Sequence, residues 1–395
     1  MAGFWAVNAT ACAGGYAPPA KLGPPRQETS WPTYLGTPRH DACAAESLNA
    51  DPRPLWHTDV GRAVRGSPAM GETVLVVGVA DRVVALVDRA TGQSLWRSRV
   101  AGTIHGGPLL DGDRVYVATE ATPDARVYAL RLRDGRTIWS TKTESIVAPL
   151  ALDGDTLYAA TEAGTALRLE TDGGRIVWRR RLNGAARAAP VPAADGIVVA
   201  TTADTLYLLE RATGQVRGRL VTPGAVVGAP ALDGARLYAA TTAGRLLAIQ
   251  LPGLSVAWDL AAGDAVFGAP VVTRDTVYAL ARDGTLWLVP ADRPSAARSF
   301  ALGITATAGP MPVASGVLVA SGRTDETNGL AAERRCAADL DAPFGAGDQQ
   351  RSTFRVARRR FVSCDVERGT GNGSLGQVAR RRRRGRVHRD GRPRA

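Results

Sequence analysis

Cysteine is scarce in this chain, with four residues among 395: Cys12 and Cys43 near the start, Cys336 and Cys364 near the end. So few thiols, all outside the central region, exclude a disulfide framework as what holds the domain together. Lysine is scarcer still, since only Lys21 and Lys142 stand among 49 basic residues. That bias fits a GC-rich genome and carries no functional reading. Four histidines, His40, His57, His105 and His388, are too scattered to suggest a metal site. No apolar run reaches eighteen residues, which excludes a membrane-spanning helix. A Ser nucleophile elbow, a phosphate loop and a Cys-x-x-Cys-His motif are all missing. No catalytic, cofactor-binding or metal-binding residue is therefore assigned, and no cofactor is expected.

Positive charge is present but uneven. The chain carries a formal +12, of which +9 falls in residues 323–395, with 18 Arg against 9 acidic residues. The larger part before it is nearly neutral, so the net charge is no argument for a nucleic-acid partner of that part.

What the sequence does have is a period. Proline preceded by small residues recurs at Pro68, Pro108, Pro149, Pro190, Pro230, Pro270 and Pro310, at successive spacings of 40, 41, 41, 40, 40 and 40. A turn signal follows most of them at a nearly fixed offset, as in Asp111-Gly112, Asp153-Gly154, Asp195-Gly196 and Asp233-Gly234. Each turn opens a short apolar run such as Val115 to Ala118 or Leu237 to Ala240, the length of a strand and too short for a helix. A third run follows, then a second Gly turn such as Thr91-Gly92 or Thr213-Gly214, then a run bearing tryptophan: Trp96, Trp139, Trp178, Trp258. At the same place the fourth repeat reads Gly218.

Each repeat thus predicts four short strands joined by hairpins, a unit that cannot cover both of its own faces and must stack on its neighbours. Radial stacking does this while shortening the exposed edges. The expected fold is all-β, a β-propeller of about seven four-stranded blades over residues 54–321. Trp56 has the context of a fourth strand with no earlier strands before it, and the last repeat lacks a Trp-bearing fourth strand. The N-terminal strand is therefore expected to close the last blade. The carboxylate pairs Asp111-Gly-Asp113 and Asp153-Gly-Asp155 could in principle bind Ca²⁺, but recurrence at structural positions makes hairpin chemistry the better account.

The run Trp31-Pro-Thr-Tyr-Leu-Gly-Thr-Pro-Arg-His40, the Gly-Ser-Pro at 66–68 and Ala90-Thr-Gly-Gln-Ser-Leu-Trp96 resemble the PQQ-like, or quinoprotein-like, propeller repeat family. The resemblance covers about Trp31 to Ser321. One branch of that family is a periplasmic outer-membrane lipoprotein that assists β-barrel assembly, so the resemblance implies a non-catalytic scaffold binding protein partners through its loops or one face. The alternative it implies is a PQQ-dependent dehydrogenase, degenerate or active. The family's enzymes typically use an adjacent Cys-Cys pair and a Trp platform; no two cysteines are adjacent here, and Trp287 reads as core or channel lining.

The two ends read differently. Residues 1–53 form a leader in which Ala9-Thr10-Ala11-Cys12 looks like the end of a lipoprotein signal, making Cys12 the candidate for lipid attachment and membrane anchorage. The match departs at Ala9, where Leu is usual, and in lacking a basic residue ahead of a short apolar stretch; a disordered leader is the other reading. Residues 322–395, with Arg380 to Arg384 as their densest block, read as a frame-shifted or disordered tail, and a phosphate-gripping role is the third reading. No nucleic-acid partner is expected. The location expected from these features together is the bacterial envelope, periplasmic or associated with the outer membrane.

Overall fold

Tight turns set the architecture. Gly112, Gly154 and Gly234 of the Asp-Gly turns adopt φ of +54°, +56° and +58°, the left-handed conformation that lets two short strands double back on each other. The computed structural model describes residues 55–321, apart from 62, 274, 307, 314 and 315, together with the isolated residue 36 and strands at 329–334, 353–357 and 361–365. Cys12, the leader 1–53 apart from residue 36, and the tail outside those three strands lie outside the described residues.

Among the described residues, twenty-nine strands follow in chain order. The first sheet contains β1 (Ala69–Met70), β2 (Val74–Val79), β3 (Val83–Asp88) and β4 (Ser94–Arg99). The second contains β5 (Leu109–Asp111), β6 (Arg114–Ala118), β7 (Arg126–Arg131) and β8 (Thr137–Lys142). The third contains β9 (Ala151–Asp153), β10 (Thr156–Ala160), β11 (Thr165–Glu170) and β12 (Ile176–Arg181), and the fourth β13 (Val191–Ala193), β14 (Gly196–Thr201), β15 (Thr205–Leu209) and β16 (Val216–Val221). The fifth contains β17 (Ala231–Asp233), β18 (Arg236–Ala240), β19 (Arg245–Gln250) and β20 (Ser255–Ala261), and the sixth β21 (Val271–Thr273), β22 (Thr276–Leu280), β23 (Thr285–Pro290) and β24 (Arg298–Ala301).

All six are antiparallel meanders in which spatial order equals chain order. A seventh sheet holds β25 (Met311–Val313), β26 (Gly316–Ser321) and β27 (Gly329–Arg334), and β28 (Thr353–Ala357) pairs with β29 (Phe361–Asp365). The seventh sheet thus draws its third strand from beyond Ser321, where the sequence alone marked the end of the propeller.

Burial follows the repeat. The second and third strands of the first six blades are largely apolar on both faces: β10 reads Leu157-Tyr-Ala-Ala160, all buried, and β14 is buried throughout. Each face packs on a neighbour; Leu206 and Leu208 of the fourth blade meet Leu237, Leu247 and Ile249 of the fifth. Fourth strands alternate instead, as in Val216–Val221, because successive side chains point to opposite faces and only one face is partly covered there.

Near the innermost strands the residues become small, for a geometric reason. A Cβ added to Gly268 would fall on the backbone of Ala308 and Gly309, and one on Gly106 would fall on Ala148 and Pro149. Ala189, Ala229 and Ala269 form a buried cluster of their own. Neighbouring blades therefore touch backbone to backbone ahead of these strands, and nothing larger than alanine fits. Pro68, Pro108, Pro190, Pro230, Pro270 and Pro310 each immediately precede an innermost strand, whereas Pro149 stands one residue further upstream, with Leu150 between it and Ala151. The innermost strands themselves start 42 residues apart between Leu109 and Ala151 and 40 apart elsewhere, so this offset turns spacings of 42 and 40 into the two adjoining 41s.

Candidate functional site: blade seams and outer edges

The repeat tryptophans are the pins between blades. Trp96 of β4 lays its ring against Gly135 in the turn of the next blade and donates from Nε1 to Leu132 O at 2.7 Å. Trp139 does the same over Gly174 with Thr171 O at 2.9 Å, and Trp178 over Gly214 with Arg211 O at 2.9 Å. Gly135, Gly174 and Gly214 have φ between +67° and +69°, and any Cβ there would collide with the indole. Two residues after each tryptophan, a second side chain reaches the carbonyl of the same glycine: Ser98 at 2.5 Å, Thr141 at 2.6 Å and Arg180, through Nε, at 2.7 Å. Trp258 donates to Ala291 O at 2.8 Å. Tyrosines of the second strands complete the contact, with Tyr116–Trp139 and Tyr238–Trp258 ring centroids both 5.9 Å apart.

Trp56 makes the identical contact from the N-terminal side. Its ring lies against Gly92 and its Nε1 donates to Arg89 O at 2.8 Å. It therefore occupies the place of a fourth-strand tryptophan ahead of the first blade, as expected. Residues 55–60 carry no strand assignment, however, and no N-terminal strand is hydrogen-bonded to β25, β26 or β27 among the described residues.

A polar contact at the Asp-Gly end of the blades was not foreseen from the sequence. Arg114, at the start of β6, donates from Nη1 to Thr171 O at 2.7 Å and pairs with Asp172 at 3.2 Å, both in the next blade. Arg236 repeats this on Asp292 at 2.5 Å and Ala291 O at 3.3 Å. Between the third and fourth blades the direction reverses, and Arg211 reaches back to Asp153 while bonding Ala193 O at 2.6 Å. The recurrent Arg-x-Tyr at 114–116 and 236–238 was the available signal. Burial pushes the phenols of Tyr116, Tyr158 and Tyr238 above the usual tyrosine range. The Tyr116 hydroxyl, fully buried, has no hydrogen-bond partner among the described residues. A cavity of about 250 Å³ opens beside Arg236, lined by Asp233, Tyr238, Gln250, Asp275 and Asp292.

The residues present do not suit a quinone cofactor. Trp287 is packed into the seam between the fifth and sixth blades and donates to Ala262 O at 3.1 Å, so it offers no open platform. None of the four cysteines lies in the first six blades. Among the described residues, no three His, Cys, Asp or Glu side chains are placed to hold a metal ion. Neither of the Asp-Gly-Asp pairs is an exception, in keeping with their turn role.

The outer edges are the surface left over. Val216, Val221, Val256 and Ile138, all on fourth strands, are among the exposed large apolar residues, as is Phe267 on the loop leading to β21. No described helix is long and apolar enough to cross a membrane.

Comparison with known proteins accords with this geometry. A family model described as outer membrane protein assembly factor BamB matches residues 45–145 and 123–325. The BamB of Nitrosomonas eutropha is 30% identical over 100 residues, 25% of this chain and 23% of that protein. A quinohemoprotein alcohol dehydrogenase, ADH IIB of Pseudomonas putida, is 28% identical over 110 residues, 25% of this chain and 16% of that protein. The chain thus spans less than a quarter of the length of either curated relative. The crystal structure of BamB from Moraxella catarrhalis superposes with a TM-score of 0.57 at 18% identity, covering 68% of this chain and 84% of that one. With the matched segments together spanning most of its length, the chain belongs to the BamB family of PQQ-like repeat propellers.

Proposed function

We propose that this protein is a non-catalytic propeller scaffold that binds protein partners during outer-membrane protein assembly in the bacterial envelope. The observation that carries the reading is how the recurrent side chains are used. The repeat tryptophans, the residues two positions after them and the Arg-Asp pairs all join one blade to the next. What varies from blade to blade is exposed on the loops and outer strands, as suits recognition of another protein. The family match over residues 45–325 supports the same reading, and partial coverage of the curated relatives makes the partner a proposal. Anchorage through a lipid on Cys12 belongs to it as well.

The test is reconstitution. The full chain, cross-linked in an envelope fraction, is expected to capture components of β-barrel assembly, and Cys12→Ser to release it from membranes without changing that capture. Failure to capture any such component would sink the reading. The alternative of a PQQ-dependent dehydrogenase is suggested by the match to the alcohol dehydrogenase. It requires that PQQ with Ca²⁺ raise the melting temperature and support dye reduction; the scaffold reading expects neither.

A further inference from the structure

The fourth blade differs from its neighbours at the edge. In β16 the Thr222 N–H, just past the strand end, donates inward to Asp204 O at 2.8 Å. Antiparallel ladders alternate, so the backbone groups of Arg219 and Val221 face away from β15. Every outer strand has such an edge, but three features coincide on this one. Val221 is 73% exposed, more than any other large apolar side chain in the described strands, and Val216 is 45% exposed. Gly218 puts no side chain at the strand centre, where the first, second, third and fifth blades have tryptophan. Arg217 and Arg219 are exposed and have no carboxylate partner among the described residues, Arg217 donating only to the Asp195 carbonyl at 2.7 Å. Two charges on other outer strands are paired: Arg181 has Glu144 at 3.8 Å, and Asp259 has Arg245 at 2.8 Å.

We propose that β16 is a docking edge for an extended acidic segment of a partner protein, which adds to the fourth blade as a fifth strand. This rests on the protein-binding reading above and names its place and its chemistry. Charge selects the occupant. A second copy pairing antiparallel about Gly218 would set Arg217 against Arg219, and like charges directly opposite are destabilising. A carboxylate opposite Arg219 is favourable by the same rule, and main-chain hydrogen bonds supply the rest. Arg219 pairs across from Tyr207, on the face toward the third blade. There Arg180 reaches over the seam to Gly214 O, adding a third guanidinium. Reading the incoming strand antiparallel to β16, the matching pattern is apolar-x-acidic-x-acidic, with the apolar residue opposite Val221.

The probe is a fluorescein-labelled peptide, Thr-Val-Thr-Glu-Thr-Glu-Thr with blocked ends, titrated by anisotropy against the full chain. Binding is expected, weakening as salt rises, with the amides of Arg219 and Val221 gaining protection from hydrogen exchange. The double variant R217E/R219E is expected to bind at least about tenfold more weakly and to accept the peptide with Lys in place of Glu, a reversal that a misfolded protein would not show. Absence of binding to the native chain, affinity indifferent to the charge reversal, or protection on another strand would each overturn the proposal. If R217E/R219E still captures β-barrel assembly components as well as the native chain does, this edge is wrong and the scaffold reading stands. If neither captures them, the scaffold reading itself falls.

Discussion

Leu254 of the fifth blade stands over Gly218 of the fourth, its Cδ1 3.2 Å from where a Cβ on that glycine would lie. Gly218 occupies the tryptophan position of its blade, and Leu254 occupies the position of the glycine on which a tryptophan would rest. Large and small have exchanged sides across this seam. The exchange leaves the seam filled: Leu254 is 5% exposed and packs in the cluster that joins the two blades.

The exchange predicts a double-mutant rescue. Gly218→Trp alone would drive an indole into Leu254 and overpack the seam, costing on the order of 1–3 kcal/mol. Leu254→Gly alone would empty it, costing roughly 2–5 kcal/mol as for other large-to-small core changes, less the relief at a residue with φ of +52°. Together they rebuild the arrangement of Trp178 on Gly214, so the double variant should be more stable than either single. Urea denaturation measures all three, and additive losses would show that the two positions are not coupled.

At an ordinary seam both partners should be sensitive. Trp96 is 9% exposed, and Trp96→Ala is expected to cost about 3–5 kcal/mol. Gly135→Ala changes a single methyl, yet it should be destabilising too, because the new Cβ meets the Trp96 ring at 2.7 Å and the backbone holds φ at +69°. Placing the same change at Gly112, where φ is +54° but no atom lies within 4 Å, isolates the backbone part. Chemical denaturation should therefore rank Gly135→Ala below Gly112→Ala.

The buried phenols predict an alkaline limit. Burial holds Tyr116, Tyr158 and Tyr238 protonated above their ordinary pKa of 10.0. In that window the folded state binds more protons than the unfolded chain, so stability is intact below pH 10 and falls as pH rises through the raised values. Absorbance at 295 nm should show these tyrosines ionising late or only with unfolding. Tyr116→Phe removes a buried hydroxyl that lacks a partner; it should be neutral or stabilising by up to about 1 kcal/mol at neutral pH and reduce the alkaline loss.

The fold was legible because the repeat imposes the same local chemistry again and again. Proline, Asp-Gly, Thr-Gly and tryptophan mark four strands at a nearly constant spacing, and radial packing is the one arrangement that covers both faces of each. The seams were legible only in half. Tryptophan is conspicuous, but the glycine beneath it looks like an ordinary turn residue, and Gly218 looks like a loss until Leu254 is seen across from it. The Arg114–Asp172 and Arg236–Asp292 contacts join residues 58 and 56 positions apart, and single-strand periodicity carries no information about such pairs. The strand at Gly329–Arg334 was missed because an Arg-rich, acidic composition surrounds it, and its pairing with Gly316–Ser321 is a tertiary fact.

Trp56 makes the last prediction. Its indole nitrogen bonds to Arg89 O and its ring covers Gly92, which leaves the first blade dependent on residues ahead of it for the tryptophan contact that the second, third, fourth and sixth blades receive from their predecessors. Removing residues 1–61 should therefore lower the unfolding temperature sharply, since an uncovered Gly92 turn exposes the outer part of the first blade to water. Trp56→Ala separates the indole from the rest of the segment. If the single substitution reproduces most of the loss, the tryptophan is the element that matters; a much larger effect of the deletion would mean that the segment makes further contacts of its own. An unchanged thermal transition in both variants would show that the first blade holds without cover from the N-terminal side.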